Sequence, residues 1–492
     1  MMMTYKSTRG NFSTDSRHAV LQGIAPDGGL FTSPEITDIH FDWKRCITLP
    51  TEQMATEILK ALLPDFSEME KLVEKAYHGK FETEDITPLV HVGENWILEL
   101  FRGPTSAFKD VALSMLPQLI TAARKQTGCS DRIVILTATS GDTGKAALEG
   151  FHDVEGTQII VFYPYGGVSE IQKAQMTTQE GENVKVCAVR GNFDDCQRGV
   201  KQAFGEISKK IQGTGKTLSS ANSINIGRLA PQVVYYFSAY RDLLKAGRIG
   251  MGDKVDYVVP TGNFGDILAG FYAKLMGLPV GMLICAANVN NVLTEFIRTG
   301  KYNRNRPFYK TDSPSMDILV SSNLERLLYL ACGKNTEKVS KWMQSLSTSG
   351  EFEVDSETLC YIQRSFGTWY CTQEETTEEI RDCWEKNHYL IDPHTAVAWH
   401  AARRLRESGK SSNPTVVLST ASPYKFPQAV LKALGTQTDG NGFKMIRTLH
   451  SITGIPVPSN LSALENKQEK FTDVINADEI VSYVLKELEQ WK

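Results

Sequence analysis

The sequence predicts an α/β protein built on open parallel sheets covered on both faces by helices. Short continuous apolar, β-branched runs at 132–136, 158–163, 255–259, 281–285 and 415–418 recur between stretches of helical periodicity. Strands without a polar face belong in sheets buried on both sides. The length of 492 residues is too great for one simple core and implies two or three domains. A composition of 41% apolar and 22% charged residues is that of an ordinary globular chain.

Taken in order, residues 1–90 open with turns, of which Ala25-Pro26-Asp27-Gly28-Gly29 followed by Leu30-Phe31 is the clearest. Thr51 is a candidate cap for a helix over 52–63, Pro64 ends it, and a second helix covers 68–76. The run 96–100 reads as a strand. Beyond it, helices are expected over 111–124, 142–151, 169–178, 193–211 and 227–245, alternating with strands at 132–136, 158–163 and 184–189. Residues 316–410 read as mostly helical, 436–442 as a loop, and 478–491 as an amphipathic helix.

The net charge of −4 and the lack of a basic stretch interleaved with aromatics argue against a nucleic-acid partner. No apolar run is long enough to span a bilayer. The first thirty residues mix Lys6, Arg9, Asp15, Arg17, His18 and Asp27, which fits neither a secretory leader nor an acid-poor transit peptide. Nine scattered cysteines without a Cys-x-x-Cys pair suggest neither a disulfide framework nor a structural metal site, and point to a reducing cytoplasm.

The chemistry centres on Lys109. Gly103-Pro104 breaks the chain upstream, and an apolar, helix-periodic run from Val111 follows, so Lys109 is expected where a loop enters a helix, beside Phe108. A solvated lysine is the plain alternative. The first turn of a helix disfavours cations, however, and a desolvated lysine presents the free amine that Schiff-base chemistry needs. Two glycine turns then follow buried strands. Thr139-Ser140-Gly141-Asp142-Thr143-Gly144 offers hydroxyls and helix-start N–H groups to an anion, or is simply a strand-to-helix turn. Gly144-Lys145 is not a P-loop, because Thr139 stands where that motif needs Gly and Ala146 where it needs Ser or Thr. Gly215-Lys216-Thr217 fails the same test at Lys210. Pro260-Thr261-Gly262-Asn263-Phe264-Gly265-Asp266 is the better phosphate cradle, with Asp266 either capping the helix or holding the loop by accepting N–H bonds. Arg228, after a polar stretch at 219–227, is a candidate anion ligand, and the hydroxyls of 419–422 lie at a strand's carboxyl end, where open α/β sheets bind ligands.

Together these stretches resemble threonine synthase, a family of pyridoxal-phosphate enzymes of fold type II. The matching segments, 25–31, 103–110, 139–144, 163–176, 222–228, 260–266, 392–396 and 420–426, cover nearly the whole chain in the family's order. The N-terminal block and Asn263-Phe264-Gly265-Asp266 are similar to the bacterial and fungal branch and not to the plant branch with its regulatory N-terminal region. The resemblance implies a tryptophan synthase β-like architecture of two open parallel-sheet α/β domains with an N-terminal helical domain. Its divisions would be a mostly helical domain at 1–90, a catalytic region at 91–442 with a smaller subdomain at about 110–225, and an extension at 443–492.

Roles follow from the same resemblance. Lys109 would carry pyridoxal 5′-phosphate covalently; Gly262, Asn263, Phe264, Gly265 and Asp266 would hold its phosphate; the Thr420 hydroxyl would meet the pyridine nitrogen. A hydroxyl there, where a carboxylate would keep the nitrogen protonated, makes a weaker electron sink and disfavours transamination. Ser140, Asp142 and Thr143 would receive the substrate carboxylate, with Lys173, Asn225 and Arg228 as candidates for the substrate phosphate. The implied reaction converts O-phospho-L-homoserine and water to L-threonine and phosphate, without a metal, in a cytoplasmic monomer or simple homo-oligomer. Two rivals use the same residues: a phospho-lyase that releases a 2-oxo acid, and a non-catalytic homologue, which would have lost the lysine or the phosphate loop. Other fold-type-II enzymes lack the block headed by 25–31.

Overall fold

The computed structural model describes residues 4–33 and 35–491. Two sheets organise the chain. The six-stranded sheet takes β1 (Leu89–Val92) and β2 (Asn95–Glu99) from the segment before Lys109, and the five-stranded sheet takes β3 (Arg132–Ala138), β4 (Thr157–Pro164), β5 (Val184–Arg190) and β6 (Lys216–Ser219). The chain then returns to the larger sheet with β7 (Val255–Pro260), β8 (Val280–Ala287), β9 (Phe366–Tyr370) and β10 (Thr415–Ser419), and ends the smaller one with β11 (Val474–Asn476). The strand orders are β9-β8-β7-β10-β2-β1 and β11-β5-β4-β3-β6. Every pairing in the two sheets is parallel except the β1–β2 hairpin, with Tyr257 opposite Val416 and Val417 opposite Ile97 at the centre of the larger one. The buried-strand runs of the sequence are these strands, because a sheet with helices on both faces leaves no polar side.

The N-terminal segment contributes α1 (Thr51–Leu62) and α2 (Met69–Tyr77); α2 packs on α3 (Lys109–Gln126), and α1 packs on α2. Thr51 is not the cap: Pro50 holds that position without a side-chain bond, and Thr51 is buried in the first turn. Helix α3 is buried along Val111, Leu113, Met115, Leu116, Leu119 and Ile120. Pro117 inside it has no N–H to give the carbonyl four residues back. That carbonyl, on Leu113, is met by Gly150 of α4 (Asp142–Phe151), where a Cβ would stand 2.0 Å from the oxygen, so only glycine lets the two helices pack this closely.

Further along come α5 (Glu170–Thr177), α6 (Phe193–Lys210), α7 (Val233–Lys245), α8 (Gly265–Leu275), α9 (Gln373–Asn387), α10 (Pro393–Glu407), α11 (Gly442–Thr453) and α12 (Ile480–Gln490). Two expectations change. The single helix at 227–245 is a short turn at Ile226–Leu229 and then α7, separated at Pro231. The mostly helical region 316–410 also contains β9, the edge strand of the larger sheet. The decoy at 215–217 leads into β6. The C-terminal segment is integral: β11 extends the smaller sheet beside β5, and α12 packs its buried Ile480, Val484 and Leu488 on α6. No helix among the described residues is long and apolar enough to cross a membrane.

Candidate active site

Three neighbouring strands of the larger sheet, β2, β10 and β7, release their loops at one carboxyl edge. The loop after β2 is sewn to the one after β10: Leu100 N donates to Ser419 O (2.9 Å), Phe108 N to Thr420 O (2.8 Å) and Ser422 N to Ser106 O (3.1 Å). These bonds deliver Lys109 as the first residue of α3, with its ammonium over the Phe108 ring at 4.6 Å. Ser106 holds φ +58°, a left-handed conformation that a non-glycine residue keeps only when its surroundings impose it.

Lys109 is buried, and burial lowers its amine to about 8; the Lys425 and Arg228 charges push the same way and Asp142 opposes them. Its Nζ lies 3.9 Å from Asp142 Oδ2. The closer cation on that carboxylate is Lys425, fully buried, with Nζ 2.7 Å from Oδ1 and a second bond to Thr105 O at 3.0 Å. Burial works against Asp142's charge, yet Lys425, Lys109 and the Gln172 amide (2.8 Å) hold it well below the usual carboxylate range. Asp110 behaves differently: burial carries it up to about 6 although Thr105 donates to it from both N and Oγ1.

The 139–144 turn is braced from inside. Thr139 Oγ1 accepts from Gly141 N (2.9 Å) and Gly144 N (2.8 Å), and the turn brings Asp142 to 3.9 Å from the Lys109 amine. Gly141 sits at φ +131°, and a Cβ there would lie 2.4 Å from the Gln172 amide.

The second turn leads into α8. Phe264 occupies the helix's N-cap position at φ +62° and no side chain caps it. The unsatisfied N–H groups of a helix start, at the positive end of its dipole, form an anion site. The turn is held from behind by Ser321 Oγ donating to Gly262 O (2.8 Å) and Asn323 N donating to Asn263 O (3.0 Å). Asp266 neither caps the helix nor accepts N–H bonds. Its Oδ1 accepts the hydroxyls of Tyr235 (2.6 Å) and Tyr236 (3.0 Å), its Oδ2 is buried without a partner, and burial carries the carboxyl to about 6.

The three phosphate candidates separate. Asn225 is consumed by structure: Oδ1 caps the turn at Gly227 N, and Nδ2 donates to Val20 O (2.9 Å). Lys173 is half-exposed and paired with Glu469 at 2.8 Å. Arg228 is buried, its NH1 on Ala221 O and its Nε without a partner; burial lowers it to about 10, so it remains cationic at neutral pH. Thr420 is buried at the end of β10, next to the Lys109 loop.

These residues suit a ligand with a carbonyl at one end and a phosphate dianion at the other. A buried amine stands at one side, an uncapped helix start at the other, and an orphaned guanidinium nitrogen is buried nearby. Reading from sequence missed several contributors. Lys425 falls in the 420–426 segment, where nothing in the sequence marks Asp142 as its partner; Tyr235 and Tyr236 fall inside the helix expected over 227–245; Asn460, whose Nδ2 donates to Pro104 O (2.8 Å) and to Ser106 Oγ (3.0 Å), arrives from the C-terminal segment.

Comparison with known proteins gives three family matches: "Threonine synthase N terminus" at residues 4–77, "Pyridoxal-phosphate dependent enzyme" at 82–422 and "Threonine synthase, C-terminal" at 395–484. Threonine synthase of Schizosaccharomyces pombe is 40% identical over 476 residues, covering 89% of this chain and 91% of that protein. Threonine synthase-like 1 of Homo sapiens is 39% identical over 85% of this chain, and the chain spans 57% of that relative's length. Among solved structures, PLP-bound threonine synthase from Brucella melitensis superposes with a TM-score of 0.86 at 37% identity, over 99% of each chain.

Proposed function

The chain belongs to the threonine synthase family of fold-type-II, pyridoxal-phosphate-dependent enzymes, and on that premise we propose that it converts O-phospho-L-homoserine and water to L-threonine and phosphate. The observation that carries the reading is the convergence at one sheet edge of a buried amine, Lys109, and an uncapped helix start at Gly265.

When bound, pyridoxal 5′-phosphate supplies an aldehyde for a lysine amine and a ring that delocalises negative charge from a substrate carbon. Lys109 is the group for the proton at the substrate's Cα: an amine lowered to about 8 both takes up and returns a proton near neutral pH. The start of α8 would hold the cofactor phosphate through backbone N–H groups, and Thr420 would stand at the pyridine nitrogen. The 140–143 turn would take the substrate carboxylate. Lys425 makes that workable, because its charge offsets Asp142 and an incoming anion meets a balanced pair. Arg228, with a free guanidinium nitrogen, is the better-placed candidate for the substrate phosphate; Lys173 and Asn225 are already engaged. A monomer or simple homo-oligomer is proposed. Nine cysteines, all free thiols, suit a cytoplasmic location.

The test is a visible spectrum of the purified protein, followed by phosphate release and product analysis with O-phospho-L-homoserine. Lysine-bound cofactor absorbance and L-threonine are expected, and both the absorbance and turnover should vanish in Lys109→Ala. Retained turnover in that variant would reject the assignment, and 2-oxobutyrate in place of threonine would make the protein a phospho-lyase.

A further inference from the structure

At the far edge of the larger sheet, a second cluster of reactive side chains lies outside the site just described. Cys371 directly follows the edge strand β9, Glu375 and Glu379 lie one turn apart on α9, and His400 faces them from α10. One ligand atom from each of Cys371, Glu375 and His400 lies within 4.8 Å of the other two. We propose that these three residues form a binding site for one borderline-soft divalent cation, zinc by the chemistry of its donors.

The local sequence builds the site. Thr372 caps α9 in a reciprocal box: its Oγ1 accepts from Glu375 N, and Glu375 turns back so that Oε2 accepts from Thr372 N at 2.8 Å. That fold-back leaves Oε1 free, 3.8 Å from His400 Nε2. His400 Nδ1 lies 3.0 Å from Glu379 Oε1 and 3.3 Å from Arg403 NH2; the shorter contact is to a carboxylate that only accepts, which favours the proton on Nδ1 and leaves Nε2 to present its lone pair to the cluster. A carboxylate behind an imidazole is the outer support that metal-binding histidines use. Cys371 is fully buried, its thiol donating to Thr372 O at 3.5 Å beside Thr376 Oγ1 at 3.3 Å.

Tetrahedral zinc keeps ligand distances of about 2.0–2.3 Å, so its donors stand roughly 3.3–3.8 Å apart, and the widest separation in the cluster, up to 4.8 Å, must close by about 1–1.5 Å as the ion binds. A thiolate–imidazole–carboxylate set favours zinc over the oxygen-seeking magnesium and calcium ions. On binding, the metal–sulfur bond replaces the S–H bond and the thiol proton passes to the buffer. The Cys371 and Glu375 anions then match the cation, while Arg403, donating to Glu379, balances the supporting carboxylate. The fourth position opens to water on the side of Glu375, whose side chain is 39% exposed. Such an ion would pin the end of the sheet's edge strand to two helices. It lies three strands from β10, about 14 Å at ~4.8 Å per strand, so it does not share the cofactor's ligands.

The experiment takes the cofactor-loaded protein, strips it with a chelator in phosphate-free buffer, and titrates it with Zn2+ alone and then with Co2+. Expected are one zinc per chain, release of a proton, an unchanged cofactor spectrum, a thiolate-to-metal charge-transfer band with cobalt, and a higher unfolding temperature. Glu375→Gln, at a half-exposed position that leaves the core intact, should weaken zinc binding. Cys371→Ser and His400→Gln should abolish the site, and Glu379→Gln should weaken it by about 10–100-fold. No uptake, uptake without the thiolate band, uptake that perturbs the cofactor spectrum, or uptake unchanged in the variants would overturn the proposal.

Discussion

Replacing Asp266 by Asn probes how the cradle handles charge. The wild-type carboxyl is buried, accepts two tyrosine hydroxyls on Oδ1 and leaves Oδ2 without a partner. Burial raises it from 3.8 to about 6, with the two tyrosine bonds and Lys109 opposing the rise. Below about pH 4 the carboxyl is neutral in both folded and unfolded chains and contributes no difference. Between about pH 4 and about pH 6 the folded chain binds the extra proton, so stability falls as pH rises, and above that the full cost of a buried anion remains. The rise from 3.8 to about 6 corresponds to ~3 kcal/mol. Asparagine keeps an acceptor for both tyrosines, replaces the orphaned oxygen with an amide and cannot ionise. In cofactor-free protein in phosphate-free buffer, urea unfolding should therefore find variant and wild type alike near about pH 4, and the variant more stable by ~3 kcal/mol near about pH 7. An infrared difference spectrum at about pH 5 should show a neutral carboxyl in wild type that the variant lacks. A stability difference constant across that range, or one that grows as pH falls, would refute the reasoning.

Three further outcomes are expected. Lys425→Met leaves the buried Asp142 carboxylate without its nearest cation and should cost about 3–5 kcal/mol in denaturant unfolding, much of it recovered in the double variant with Asp142→Asn; a loss below ~1 kcal/mol would contradict the buried pair. Lys109, lowered from 10.5 to about 8, is charged below that pH and free above it, so recapture of pyridoxal phosphate by cofactor-free protein should accelerate as pH rises through about 8; a midpoint near the ordinary lysine value would show that the amine is not desolvated. Asn460→Ala removes donors to Pro104 O and Ser106 Oγ and should lower stability by about 1–2 kcal/mol while speeding amide exchange at 106–108.

What was legible in the sequence is what depends on local pattern. The parallel strands could be read because burial on both faces leaves uninterrupted apolar runs, and Lys109 could be placed because a Gly-Pro break and a helical period fix where one element ends and the next begins. Strand β9 was hidden because Phe366-Gly367-Thr368-Trp369-Tyr370 sits between helices and, as an edge strand, is only partly buried. The caps behaved similarly. Thr51 looked like a cap by type, but Pro50 already supplies the turn and Thr51 faces the core. Partner choice was not legible at all. Asn225 and Arg228 are three residues apart in one polar stretch, yet one spends its side chain on Val20 and Gly227 and the other keeps a donor free. That difference is set by which segment lies behind each residue.

The same point explains why the site needs the whole chain. Two non-glycine residues with positive φ flank the place where the cofactor would lie, Ser106 before the amine and Phe264 at the helix start. Each such conformation costs of order 1–3 kcal/mol and persists only under constraint. The constraints come from far away in sequence: Ser422 and Asn460 bind the Ser106 loop, and Ser321 and Asn323 bind the Phe264 loop. Lys425 ties the end of β10 to the start of α4, which belongs to the smaller sheet. The C-terminal segment, which has no catalytic candidate of its own, therefore acts on the amine through Asn460. Loosening it should be felt first as lost order at 104–108, before any loss of the sheets themselves.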